Sequence, residues 1–269
     1  MCSSDLLQAA ASRPPWICKA PVIALIISDV TGDDPTHIAS GPCAPDPTTF
    51  QEAVDVLNRF DVKPPRAVLE HLICGLRGER EETPKPGSKV FDRVENRVIA
   101  TARHSLEAAA ALFRENGIQP VILGDSITGE AMEVAKVMAA LAREVRTHGS
   151  PFKPPVVLLS GGECTVTVRG TGGRGGGGAE FLLALGLELA GTAEVHAIAA
   201  DTDGIDGSED NAGALLSPDS LARASAQGLD ARKSLATNDS YGIFSALGDL
   251  VITGPTRTNV NDYRAILIA

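Results

Sequence analysis

Residues 160–180 read SGGECTVTVRGTGGRGGGGAE, a glycine-dense stretch between an apolar run (Val156 to Leu159) and a helical pattern (Ala179 to Ala190). A strand end and a helix start, both with bare backbone, are where α/β proteins hold anions. Glycine lets N–H groups approach an anion closely, and a helix N-terminus adds positive potential. Taken alone, the run reads more readily as a flexible surface loop. Its neighbours argue for the turn of an α/β unit.

Upstream, Val22 to Ile27 is a continuous apolar run with β-branched residues, read as a buried strand. A polar loop follows, then Pro47, Thr48 and Thr49 precede a helix through about Arg59, and Pro64-Pro65 starts another through about Leu76. Gly78 to Lys89 is charged and carries two prolines, which marks it as the candidate linker. From Asn96 the pattern alternates. Strands are expected at Val98–Thr101, Pro120–Leu123, Val156–Leu159, Thr165–Val168, Val195–Ala200, Leu250–Thr253 and Ala265–Ile268. Helices are expected at Ala102–Asn116, Thr128–Thr147, Ala179–Ala190 and Ser240–Leu247, with Ser217-Pro218-Asp219 starting another. This predicts a three-layer α/β/α domain over residues 96–269 with a mixed, mostly parallel sheet, and a separate portion over 1–95. Thr165–Val168 follows Leu159 too closely for a crossover and is expected to run antiparallel.

Composition narrows the function. With 269 residues, 43% hydrophobic and 22% charged, the chain is globular. A net charge of −10 leaves no broad basic field for nucleic acid. No apolar run is long enough to span a bilayer. The N-terminus, MCSSDLLQAAASRPPWICKAP, lacks the basic start and apolar core of a signal peptide. Five dispersed cysteines and no Cys/His cluster point to free thiols in the cytoplasm and away from zinc.

Four polar loops follow apolar strands, where open α/β sheets bind ligands. The first, SDVTGDDPTHIASGP, offers Asp29, Asp33 and Asp34 for Mg²⁺ or ligand hydroxyls and Ser40-Gly41 for backbone or hydroxyl contacts. His37 in this loop is the one histidine placed for chemistry. The second supplies Ser160, Gly161, Gly162, Glu163, Arg174 and Glu180; an Arg inside a glycine run suits a phosphate or carboxylate. It is neither a Walker A loop nor a dinucleotide fingerprint. The third, ADTDGIDG, crowds Asp201, Asp203 and Asp206, carboxylates that repel unless a cation or ligand intervenes. The fourth joins Asn238 and Asp239 to TGPTRTNVND, whose Thr256 and Asn259 could bind a polyol or carboxylate. An acidic turn or a helix cap is the alternative for the third and fourth.

Together, LIISDVTGDDPTHIASGP, LLSGGECTVTVRGTGGR, AADTDGIDG, ATNDSY and ITGPTRTNVND resemble the glycerate 2-kinase family, whose members are also named hydroxypyruvate reductases of tartrate metabolism. The C-terminal part is similar to the MOFRL domain. The resemblance implies transfer of the ATP γ-phosphoryl to the 2-hydroxyl of D-glycerate, with ATP and Mg²⁺ as cofactors. It implies that Gly161 and Gly162 cradle phosphate, that Arg174 neutralises charge, and that Asp201 with Asp203 holds Mg²⁺ or substrate hydroxyls. Asp29 would lie across the cleft. It also implies that residues 1–95 are the remnant of a second, Rossmann-like domain, because family members carry a further N-terminal half. Apolar surface bared in this way favours homo-oligomers. The family pattern Gly-Gly-Arg-Asn-x-Glu is altered here to Gly172-Gly173-Arg174, then Gly175 to Gly178, Ala179 and Glu180. An NAD(P)H-dependent hydroxypyruvate reductase and a non-catalytic fragment are the alternative functions.

Overall fold

The structure is a computed structural model and describes residues 20–169, 173–190 and 192–269. Gly172, Cys2 and Cys18 lie outside the described residues. The chain forms two compact units, one of residues up to Ile26 with Gly32–Ile99, the other of Ile27–Thr31 with Ala100–Ala269.

The first unit holds strand β1 (Val22–Ile27), helices α1 (Phe50–Arg59) and α2 (Arg66–Leu76), and strand β2 (Val94–Ala100) paired with β1. Thr49 caps α1: its side chain accepts from the Glu52 amide and the Glu52 carboxylate answers the Thr49 amide, a reciprocal capping box. Residues 78–89 are not a linker between units. They fold back on the loop before α1, where Thr83 donates to Asp46 at 2.8 Å and the Phe50 amide to Glu82 at 3.0 Å.

The second unit runs α3 (Ala102–Glu115), β3 (Gln119–Gly124), β4 (Gly129–Glu130), α4 (Ala131–His148), β5 (Val156–Gly162), β6 (Cys164–Thr165), α5 (Gly177–Glu188), β7 (Val195–Asp201) and β8 (Gly213–Leu216). It ends with α6 (Ser220–Ala226), α7 (Ala231–Ala236), α8 (Ser240–Leu247), β9 (Leu250–Val251) and β10 (Asp262–Ile268). Six strands form one sheet in the order β3-β5-β10-β7-β8-β9. The α/β class with helices on both faces holds, but the pairing is not mostly parallel. Only β3–β5 pair in parallel, because β10 enters antiparallel between β5 and β7 and β8 pairs antiparallel with β7 and β9. Four of the six strands still point one way, which keeps their carboxyl ends on one side.

The apolar run at Val156 is buried through all seven residues of β5 because both faces are covered. Val157 and Leu159 pack with Leu106 and Ala110 of α3, while Val156 and Leu158 pack with α4 and α5. Helix α5 is buried from Gly178 to Gly186, so it lacks a polar face. The expected strand after Gly162 shortens to β6, which pairs with β4, in parallel and outside the main sheet. Helix α6 starts at Ser220 with Asp219 at its N-cap, so Pro218 precedes the helix.

Candidate functional site

The carboxyl ends of β5 and β7 carry two loops, and the fate of their polar groups defines the site. Leaving β7, Asp201 accepts the Asp203 amide at 3.0 Å and Asp203 accepts the Ile205 amide at 2.7 Å, two successive Asx turns. Burial, reinforced by the neighbouring Asp203 and Asp206 carboxylates, pushes Asp201 up to about 6. Asp206 points the other way. It is 3% exposed and accepts the amides of Gly178 and Ala179 at 3.0 and 2.7 Å. These are first-turn donors of α5, so the anion at this helix N-terminus is the chain's own carboxylate.

The glycine run therefore has a steric reason of its own. A Cβ at Gly173 would stand 2.2 Å from the Thr237 carbonyl, and one at Gly176 2.1 Å from the Asp206 carboxylate. At Gly173 and Gly176 the loop runs too close to the 237–238 and 206–207 segments for a side chain to fit. Gly161 and Gly162 lie inside β5 and are buried. A Cβ at Gly162, where φ is 100°, would meet the Ile127 backbone at 2.5 Å.

Inside the glycine run the charged residue is Arg174. Its side chain is half exposed, 3.6 Å from Asp239, and lies over the Tyr241 ring at 4.9 Å. The Tyr241 amide donates to the Arg174 carbonyl at 3.0 Å. Tyr241 also lines a cleft of about 660 Å³ whose other walls include Gly204, Ile205, Asp210, Ile252 and Pro255. Glu180 is 2% exposed and accepts from Asn238 at 2.9 Å, while its second oxygen has no partner. Burial raises the Glu180 pKa. Asn238 sits at φ 56° and also accepts the Arg169 amide at 2.8 Å, tying the chain after β6 to α5.

The other expected residues divide. Thr256 spends its hydroxyl on the Thr202 carbonyl, and Asn259 its carbonyl on the Asn261 amide at 2.9 Å, so both build the 256–261 turn. The Asn261 side chain in turn donates to the exposed Asp29 backbone at 2.8 Å. Ser160 is buried in β5 and Glu163 is exposed beyond it. Ser40 and Gly41 lie in the first unit, at the end of a 3₁₀ turn with φ of 64° and 61°. His37 is exposed at its start. Among the described residues no group of three or more His, Cys, Asp or Glu side chains converges to hold a metal ion.

Sequence reading missed Arg264. It is 1% exposed, donates to the Ile127 and Gly161 carbonyls at 3.0 and 2.8 Å, and pairs with Asp262 at 3.1 Å. Burial outweighs that pairing and pushes Asp262 up to about 7. The signal was legible: an arginine inside the otherwise apolar run YRAILI has to find partners in the interior.

Comparison with known proteins places this geometry among relatives. The MOFRL family model matches residues 156–262, from the start of β5 to the start of β10, and a model described as a domain of unknown function (DUF4147) matches residues 15–73. A protein of Agrobacterium vitis provisionally named a hydroxypyruvate reductase is 50% identical over 93% of this chain and 55% of its own length. A glycerate kinase of Macaca fascicularis is 31% identical over 93% of this chain and 72% of its own. The crystal structure of a glycerate kinase from Thermotoga maritima superposes with a TM-score of 0.82 at 35% identity, covering 94% of this chain and 58% of that one. The chain thus spans little more than half the length of several of these relatives.

Proposed function

Because the chain belongs to the glycerate kinase family, we propose that the protein transfers the γ-phosphoryl of ATP to the 2-hydroxyl of D-glycerate. The observation that carries this reading is the placement of Arg174. It is a half-exposed cation in the loop that the glycine run builds, set against Asp239 and over the ring of Tyr241, a residue that lines the cleft. Phosphoryl transfer asks a protein mainly for alignment and for neutralisation of charge on the transferring oxygens, and such an arginine supplies both.

Asp201 and Asp203 fit Mg²⁺. The Asp203 carboxylate stands close enough to raise the proton affinity of Asp201, a repulsion that a cation relieves. Two protein carboxylates are the usual complement for this ion, with waters and phosphate oxygens completing it. When bound, the ion would offset phosphate charge. The chain's own contribution is to fix the pair through the Asx turns of residues 201–205. Cys43, Cys74 and Cys164 are free thiols, which supports a reducing, cytoplasmic setting.

A coupled assay tests the proposal. ADP release that depends on D-glycerate is the expected result. NADH oxidation with hydroxypyruvate and no ADP release would overturn it in favour of a reductase, and neither signal would leave a binding fragment.

A further inference from the structure

The loop that carries Arg174 is held at both of its stems, and Asn238 is common to the two attachments. This residue lies buried in the tight connection between α7 and α8, with a left-handed backbone. Its side-chain oxygen accepts the Arg169 amide at 2.8 Å and its nitrogen donates to the Thr167 carbonyl at 3.3 Å, which fixes the stem leaving β6. Glu130 holds the same stem, accepting the Thr167 amide at 2.8 Å and hydroxyl at 3.0 Å. The returning stem meets Asn238 and its neighbours. Gly173 leaves no room for a side chain before the Thr237 and Asn238 carbonyls, and Gly175 none before the Ser240 hydroxyl. The Arg174 carbonyl accepts the Tyr241 amide at 3.0 Å, and Arg174 Nε stands 3.6 Å from Asp239.

The chemistry required at position 238 is narrow. The Arg169 amide can only donate, and an ionised Glu180 can only accept. The side chain between them must therefore accept at one atom and donate at the other, which a carboxamide does and a carboxylate does not. Among the described residues Asn238 is the hydrogen-bond partner of the buried Glu180 carboxylate, whose second oxygen has none. We propose that Asn238 is a positioning residue: by bonding both Glu180 of α5 and the 167–169 stem, it fixes the 237–241 segment against the loop and so sets where the Arg174 guanidinium stands. Asn238 acts through Arg174 and touches no reacting group. The role rests on the phosphoryl-transfer reading and extends it.

Asn238→Asp is the informative change. Aspartate keeps the size, the acceptor for Arg169 and the tolerance of a left-handed backbone, but sets a carboxylate against Glu180 where the donor stood. In D-glycerate-dependent ADP release, kcat should fall about tenfold or more while KM for D-glycerate stays within about twofold. In an Arg174→Ala background the same change should cost less than about twofold, because the group it positions is gone. Equal losses with and without Arg174 would overturn the proposal. Hydrogen exchange of the Tyr241 amide, whose acceptor is the Arg174 carbonyl, reads the positioning without turnover. Asn238→Asp should speed that exchange at least about tenfold and leave β5 amides unchanged. Adding Glu180→Gln, which restores a donor–acceptor pair of reversed polarity, should return the protection. Unchanged Tyr241 exchange would overturn the proposal, and so would an equal loss in β5, the mark of a general stabiliser. No glycerate-dependent ADP release from the unaltered chain would instead refute the phosphoryl-transfer reading, while exchange still decides whether Asn238 holds the loop.

Discussion

Arg264 and Asp262 sit two residues apart on β10 with both side chains inside the protein, where an uncompensated charge is costly. Arg264→Ala removes the donor to the Ile127 and Gly161 carbonyls and leaves Asp262 unpaired. The expected loss is about 3–5 kcal/mol of unfolding free energy, read by urea denaturation. A loss within the range of an ordinary surface substitution would contradict it. Asp262 gives a pH signature. Its folded-state pKa, near 7, lies above its ordinary 3.8, so between those values the folded state binds the extra proton. Its contribution to stability is therefore greatest in acid and is lost as pH rises through that window. Asp262→Asn should flatten this part of the profile, and an unchanged slope would show that Asp262 does not carry it. Neither role depends on local pattern. Arg264 was legible only as a charge out of place, and the carbonyls it donates to come from residues more than 100 positions away.

At the scale of elements, the N-terminus of α5 shows why a glycine run can mislead. Spacing and composition identify the strand–loop–helix unit, and the helix is observed where it is expected. They cannot reveal that Asp206, from a loop 27 or more residues later, occupies the amides that an external anion would use. Asp206→Ala should cost about 0.5–2 kcal/mol through the lost cap, measured by thermal unfolding. Gly176→Ala should cost more than Gly124→Ala, because the first Cβ meets Asp206 at 2.1 Å whereas the second meets nothing closer than 3.6 Å. Equal costs would mean that the loop moves aside freely. The strand order was also beyond local reading. That β10 returns between β5 and β7 is a long-range pairing, and the short elements β8 and α7, four and six residues long, lack the periodicity that marks longer ones.

At the scale of the molecule, the two units differ in how completely each is built. The second has cores on both faces of its sheet; the first has two buried apolar residues among those described. Unfolding of the chain alone is therefore expected to be stepwise, with hydrogen exchange in urea showing β2 opening well before β5. A single cooperative transition reported identically by both strands would contradict that. Repeated strand–helix alternation made the second unit's class readable from sequence. The first unit was readable only as separate strands and helices, because what completes it does not lie in its own pattern. Of the candidate site, Glu180 with Asn238 and Arg174 with Asp239 are brought together, while Thr256 and Asn259 are spent on the turn that holds the site. The most direct test of the account is therefore Arg174→Ala, assayed for D-glycerate-dependent ADP release. With the Gly178 and Ala179 amides taken by Asp206, neutralisation of the transferring phosphate falls to Arg174 in the proposed reading, and kcat should fall about 10²–10³-fold. An unchanged kcat would contradict the account.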